Sequence, residues 1–267
     1  MILFAGALAT VSAIAAQYEV AALNEVISPS EDMLDPANPA SLAHYRHVGV
    51  NAIELILQAM LIANKTCVKT ILDMPCGFGR VARHLAAAFP EAALSVCDLY
   101  EDRIAFCAKQ FRGNPLLSKD NLSDLSFPEP FDLIWCGSLL THLPERKFLD
   151  ALRLFSRSLA PDGIAVVTTI GRFSPWFHHT RYRYLSDERF ILAERGFYKN
   201  GFGYVDYADP VSIGSPTYGI SLSSAAFVAS AVEEDHTVRI VSFTERGWDG
   251  HQDVLAFRKL PIFSYPL

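Results

Sequence analysis

"TILDMPCGFGRVARHL", residues 70–85, decides the fold. An apolar strand-like run ends at Asp73 and a pair of glycines follows. Apolar residues then recur at helical spacing, Val81, Leu85 and Phe89, until Pro90 stops the pattern. Strand, glycine turn and helix in that order open a parallel sheet covered by helices. In such sheets a ligand sits outside the carboxyl ends of the strands, where the first turn meets the first helix. Gly77 and Gly79 permit the sharp turn and let the main chain approach a ligand with no Cβ in the way. A side chain placed at Gly79 is therefore expected to block the ligand and spare the fold.

The alternation continues downstream. "ALSVCD" is a second strand, and "DRIAFCAKQF" a helix with Ile104, Cys107 and Phe111 on one face. A weak third strand falls near "NPLLS" and a fourth at "FDLIWCG". "RKFLDALRLFSRSL" is a helix that turns Phe148, Leu152, Phe155 and Leu159 inward, and "GIAVVTTI" is the fifth strand after an "APDG" turn. "SSAAFVASAVEE" reads as the last helix, and "TVRIVSFTE" and "DVLAFRK" as an antiparallel pair closing the sheet edge. The expected fold is α/β: a doubly wound, mostly parallel, seven-stranded, Rossmann-like sheet with an antiparallel last strand and an inserted cap. The cap is the segment 170–222, with twelve aromatic residues in 53 against 12% for the whole chain. Structureless loops of that length are rare in compact domains, so a lid or small cap is expected. It is placed to select the acceptor of whatever chemistry occurs below it and to leave the first turn intact, although its rings would equally serve as its own core.

Composition narrows the function. The chain has 267 residues, 51% hydrophobic, and a net charge of -6. That charge argues against nucleic acid, which is gripped by clustered Lys and Arg, and favours a small-molecule or protein substrate. Five cysteines without a C-x-x-C pair indicate neither a disulfide framework nor a zinc site and fit a reducing cytoplasm. No metal is expected. The apolar opening "MILFAGALATVSAIAAQ" has no Lys or Arg before Arg46; it lacks the charged start of a secretory signal, is too short to span a bilayer, and is read as a docking helix or a misassigned start. "SPSEDMLDPANPAS", residues 28–41, reads as an acidic linker. The chain thus divides into an N-terminal helical segment and linker, 1–41, and the main domain, 42–267.

"GFGRVA" satisfies G-x-G-x-x-[GA], and Asp98 ends the second strand nineteen residues beyond Gly79. A carboxylate there can accept from both hydroxyls of an adenosine ribose; capping the following helix is the structural alternative. A dinucleotide site wants its first glycine directly at the strand end. Here Asp73-Met74-Pro75-Cys76 intervene, which leaves a carboxylate that would repel a pyrophosphate and welcome a cationic ligand.

"ILDMPCGFGRVARHL", "CDLYEDRIAFC", "FDLIWCGSLLTHLP" and "LAPDGIAVVTT" together resemble the successive motifs of the class I S-adenosylmethionine-dependent methyltransferases, over about residues 40–267. The resemblance implies S-adenosyl-L-methionine as cofactor. Asp73, Cys76, Gly77 and Gly79 would surround its methionine part and Asp98 its ribose. Leu99 would pack on the adenine with Asp120 or Asn121 near the amino group, and Cys136 and Gly137 would line the floor. "HYRHVG" resembles the segment that closes over the cofactor in many members, making Tyr45 and Arg46 candidates for its carboxylate. Cys76, Cys97 and Cys136 equally suit small buried hydrophobes.

Methyl transfer is an in-line displacement that mainly needs the acceptor atom held about 3–3.5 Å from the methyl carbon. A hydroxyl acceptor would use a general base, and a histidine suits that role. His142, just after the fourth strand, is the first candidate and His179 the next, with His178 and His251 behind them; each equally fits a hydrogen-bonded structural histidine. The expected reaction is O- or N-methylation of a small molecule or saccharide. Two rivals remain: an NAD(P)-dependent oxidoreductase or epimerase using the same turn, and a non-catalytic partner protein that keeps the fold and the cofactor.

Overall fold

The computed structural model describes residues 5–35, 37–207 and 218–261. At its centre is a seven-stranded sheet in the order β3-β2-β1-β4-β5-β9-β8. The strands are β1 (Thr70–Asp73), β2 (Ala93–Asp98), β3 (Asn114–Leu117), β4 (Phe131–Cys136), β5 (Leu159–Thr169), β8 (Val238–Trp248) and β9 (Gln252–Lys259). The first five run parallel, and β9 lies antiparallel between β5 and β8. Order reverses between β1 and β4, so the crevice at their carboxyl ends is where a ligand is expected.

Both faces of the central strands are buried, as a helix-covered parallel sheet requires. Ile71, Val96, Leu133, Trp135 and Val166 point to the layer of α2 (Pro39–Ala63), α3 (Ala82–Ala88) and α4 (Glu101–Phe111). Leu72, Cys97, Ile134, Cys136 and Val167 point the other way, to α5 (Glu145–Ser158) and α8 (Ala225–Glu233).

The long helix α2 is an element that the sequence reading passed over, taking "HYRHVG" as a closing segment. Its start is fixed by Asn38, whose side chain accepts from Ala40 N at 3.0 Å, with Pro39 in the first turn. It stops at Asn64 in the left-handed region, φ 55°. Alone among the described helices it is long and apolar enough to cross a membrane, yet 56% of its most apolar window is buried, with Ile53, Ile56 and Met60 in the core. The helix α1 (Ala5–Val20) packs on this layer through Val11, Ile14 and Ala15.

Residues 208–217 of the expected cap lie outside the described residues; the rest of it contains α6 (Phe173–Thr180), α7 (Asp187–Asn200) and a separate antiparallel pair, β6 (Phe202–Asp206) with β7 (Gly219–Ser223). It has a small core of its own, in which Phe190, Phe197, Val205, Ile220 and Leu222 meet.

Candidate active site

The turn after β1 is tied to β2. Cys76 N donates to Cys97 O at 2.9 Å and Gly77 N to Asp98 Oδ2 at 2.9 Å. The two glycines of the turn differ in what they face. Gly77 has φ 51° and a Cβ built there would meet nothing within 4 Å, because the backbone borders an open cavity. Gly79, φ 82°, is turned toward α4, and a Cβ there would overlap the Phe111 ring. The bare main chain faces the cavity at Gly77; Gly79 is kept small by helix packing, contrary to the expectation for that position.

Asp73, Cys76, Gly77, Arg80, Asp98, Gly137, Ser138, His142, Tyr218 and Trp248 line this cavity, together with Glu31, Asp32 and Met33 of the segment read as a linker. Asp73 is 1% exposed, and its buried Oδ2 has no hydrogen-bond partner. Burial, then the neighbouring Asp98, raise its pKa well above the ordinary carboxylate range. The Arg80 guanidinium lies 5.4 Å from the centre of the Trp248 ring, and burial lowers its pKa despite the surrounding carboxylates. An unpartnered acid and an arginine on one cavity wall are the two halves of a site for a ligand with an ammonium and a carboxylate.

Asp98 accepts from Gly77 N and, at 3.2 Å, from Tyr100 N, which fixes the carboxylate and leaves lone pairs for a diol. A second compartment adjoins it, lined by Asp98, Leu99, Tyr100, Arg103, Asp120 and Tyr218. Leu99 is 41% exposed there, which suits a flat apolar ligand. Of the two adenine-side candidates, Asp120 lines the compartment, whereas Asn121 turns its amide to Asp124 Oδ2 at 2.7 Å.

Four other candidates lie elsewhere than expected. Cys136 is 0% exposed and packs in the core on the α5 side of the sheet; the floor is Gly137, where a Cβ would press on Trp248 and Trp135. Tyr45 is buried and donates to Glu31 Oε2 at 2.7 Å, so it meets the cavity only through Glu31. Arg46 is paired with Glu25 at 2.7 Å. His179 lies outside the cavity because α6 turns it to α7, where it meets Glu194 at 3.3 Å and Asp187 at 3.7 Å. His178, His179 and Asp187 converge closely enough to suggest a cation site. However, His178 Nδ1 accepts from Tyr184 N at 3.1 Å. Its proton therefore sits on Nε2, the atom 3.2 Å from Asp187, so the group reads as a hydrogen-bonded pair.

His142 is in the cavity wall. Its Nδ1 donates to Gly219 O at 2.8 Å and its ring stacks on Tyr218 at 4.4 Å. The carbonyl fixes the tautomer and leaves Nε2 as a bare acceptor. Burial lowers its pKa to about 4, so the ring is neutral at physiological pH. Beside it, Ser138 Oγ accepts from Gln252 Nε2 at 2.7 Å, Gln252 Oε1 accepts from Thr168 Oγ1 at 2.6 Å, and Thr168 Oγ1 accepts from Ser138 N at 2.8 Å. This closed ring holds Ser138 at φ 60°, an uncommon conformation for a residue other than glycine, with its own hydroxyl proton uncommitted. His251 is separate from this ring, bonded to the Tyr184 hydroxyl and stacked on Phe177.

The sequence profile of the "Methyltransferase domain" family matches residues 71–163, from the first strand into the fifth. Residues 71–163 are a methyltransferase domain. The chain's resemblance to individual relatives is partial. N-terminal Xaa-Pro-Lys N-methyltransferase 1 of Mus musculus is 31% identical over 133 residues, 46% of this chain and 58% of that protein. The dTDP-3-amino-3,6-dideoxy-alpha-D-glucopyranose N,N-dimethyltransferase of Streptomyces fradiae is 29% identical over 123 residues, 45% of each. The chain thus spans about half the length of the curated relatives it matches. Among solved structures, S-adenosylmethionine-bound CalS10 of Micromonospora echinaspora, an amino pentose methyltransferase, superposes with a TM-score of 0.56 at 14% identity, covering 86% of this chain and 99% of that one. That superposition establishes the fold. S-adenosylmethionine is the cofactor of this methyltransferase family, and the buried Asp73, the open backbone at Gly77, Arg80 and the fixed Asp98 carboxylate suit its ammonium, carboxylate and ribose.

Sequence reasoning missed Glu31, Asp32, Met33, Arg80, Arg103, Ser138, Tyr218 and Trp248. Arg80 alone carried a signal, since it stands inside the decisive motif.

Proposed function

We propose that the protein transfers the methyl group of S-adenosylmethionine to an amine nitrogen of a small molecule of the amino-sugar type. The observation that carries the reading is the Asp73 carboxylate, buried without a partner beside Arg80 at the end of β1. Those two side chains would hold the ammonium and carboxylate of the cofactor, Asp98 its ribose, and Leu99 and Asp120 its base. When bound, the cofactor supplies an activated methyl group. Cys76 lines the same cavity, and Tyr45, Gly79, Cys136 and Asn121 would support this site from behind.

The remaining work of this chain is to orient an acceptor and exclude water. His142 Nε2 would take a hydrogen bond from the acceptor's N–H and so aim its lone pair; the neutral ring neither repels a protonated amine nor competes for the methyl's place. The Ser138 hydroxyl is free to donate to a neighbouring oxygen of the same acceptor. The rings of the cap, Tyr184, Tyr207 and Tyr218, would close the wall against solvent. The two curated relatives named above are N-methyltransferases, which favours nitrogen over oxygen as the acceptor atom. The free thiols and net negative charge favour a cytoplasmic location and a partner that is neither nucleic acid nor membrane.

Calorimetry with S-adenosylhomocysteine should give one site per chain, and NADH should not compete. Labelled methyl should then pass to dTDP-3-amino-3,6-dideoxyglucose and not to a peptide beginning Xaa-Pro-Lys. Competition by NADH would replace the reading with that of an oxidoreductase, and transfer to the peptide would replace the acceptor class.

A further inference from the structure

The cap does not stand apart from the cofactor cavity. Tyr218, the residue before β7, borders both compartments, with Asp73 and Gly77 in one and with Leu99 and Asp120 in the other. It is therefore at the point where the nucleoside part and the amino-acid part of a ligand would join. Its position is fixed from two sides: the ring stacks on His142 at 4.4 Å with planes 24° apart, and the next carbonyl, Gly219 O, accepts from His142 Nδ1 at 2.8 Å. Tyr207, at the end of the paired strand, packs 5.8 Å from it and 6.1 Å from His142. Asp98, Tyr100 and Arg103 line the same compartment as Tyr218. Tyr218 thus stands between the candidate ribose-binding carboxylate and the acceptor-side histidine, on the cavity side of the cap, whose own core is made by other residues.

We propose that Tyr218 is a cofactor-binding residue, supplied by the cap, that packs on the thioribosyl portion of S-adenosylmethionine and S-adenosylhomocysteine. This rests on the methyltransferase reading of the cavity. It makes the hairpin of β6 and β7 part of the cofactor site, so the cap cannot be exchanged to alter the acceptor without loss of cofactor affinity. It also ties the two substrates together: the ring that touches the cofactor is the ring that sets the His142 imidazole.

The test uses two probes on the full chain, S-adenosylhomocysteine and 5′-methylthioadenosine, which lacks the amino-acid end. Wild type should bind both. Tyr218→Leu, which keeps apolar volume, should weaken both by about five- to tenfold, the order expected for losing one aromatic packing partner, while melting within a few degrees of wild type. Arg80→Leu should weaken only S-adenosylhomocysteine. Should Tyr218→Leu destabilise the cap, Tyr218→Phe keeps the ring, and either probe bound within twofold of wild type by that variant supports packing by the ring. Unchanged binding of both probes by a folded Tyr218→Leu protein overturns the proposal, as does a loss confined to S-adenosylhomocysteine. Failure of the wild type to bind either probe would instead remove the methyltransferase reading beneath it.

Discussion

Replacing Asp73 by Asn should make the protein more stable and a worse binder. In the structure the carboxylate accepts no hydrogen bond among the described residues, its Oδ2 is buried, and the Asp98 carboxylate is its neighbour. Leaving such a group unpaired costs about 1–3 kcal/mol, and asparagine removes the charge at nearly constant shape. For a chain of this size each kcal/mol moves the melting temperature by roughly 2–4 °C, so a rise of about 2–12 °C is expected at a pH where the acid is ionised. The sign of the pH dependence follows from the raised pKa. The native acid is comfortable when protonated, so its favourable contribution is full below the unfolded carboxylate pKa and is lost as pH rises through the native one. The advantage of the variant should therefore grow with pH and vanish in acid. Binding should move the other way. A hydrogen bond to a charged ammonium contributes about 1.5–3 kcal/mol, which is roughly 10- to 150-fold in S-adenosylhomocysteine affinity. Thermal melts across pH and calorimetry at pH 7 measure both quantities. A variant that melts lower and binds as tightly as wild type would refute the view of Asp73 as a carboxylate held in reserve for a ligand.

The two turn glycines should separate. Gly77→Ala carries a left-handed strain of about 1–2 kcal/mol and puts its methyl into the cavity, so affinity should fall well beyond what the modest loss of stability explains. Gly79→Ala adds overlap with Phe111 to the strain and should lose about 2–4 kcal/mol in denaturant melts; unaltered stability would mean the packing of α4 is misjudged. Asp98→Ala should weaken S-adenosylhomocysteine at least tenfold, since a diol loses hydrogen bonds to a charged acceptor, and calorimetry on the folded variant decides it. His142→Gln should lower methyl transfer by about 100-fold or more with cofactor affinity kept within about twofold, given that glutamine retains some packing against Tyr218. Because the ring's pKa is lowered to about 4, any acid limb of the rate due to it lies near pH 4. The unfolded chain takes that proton at higher pH, so native stability should fall as pH drops from about 6.5 toward 4, and the glutamine variant should lack that slope.

What the sequence disclosed is what lies close together along it. Asp73, Gly77 and Asp98 are set by one strand-turn-helix-strand unit, in which the spacing of residues fixes their place at the sheet edge. The succession of strands and helices and the antiparallel β9 were legible for the same reason, since strand patterns and turns are local signals. The spacing that located Gly79 said nothing of its direction: whether a left-handed glycine faces ligand or helix depends on Phe111, which is 32 positions away by its number. Cys136 illustrates the period-2 rule at a strand end, where Gly137, one residue on, faces the cavity and Cys136 the core. The helix α2 was hidden because its apolar residues run nearly all round it, which blurs the 3.6-residue stripe.

The parts that stayed dark are those brought in by closure of the chain on itself. Trp248 reaches the cavity from the last position of β8, and its indole N donates to Val48 O at 2.9 Å, 200 residues away. Glu31 stands in a segment whose acidic, proline-containing composition reads as a linker, yet it is held by Tyr45, and Arg83 donates to the backbone of Asn24 and Val26 at 2.8 and 3.2 Å. Composition reports what a segment can do without partners, and here the partners decide. Arg83, in the first turn of α3, follows by three positions Arg80, which lies in the turn before that helix. One arginine of that pair anchors the strap and the other is left bare in the cavity. The turn and the helix it opens thus spend one guanidinium on the fold and leave the other stacked on Trp248 without a hydrogen bond among the described residues, a cation on the cavity wall that would meet a ligand's carboxylate.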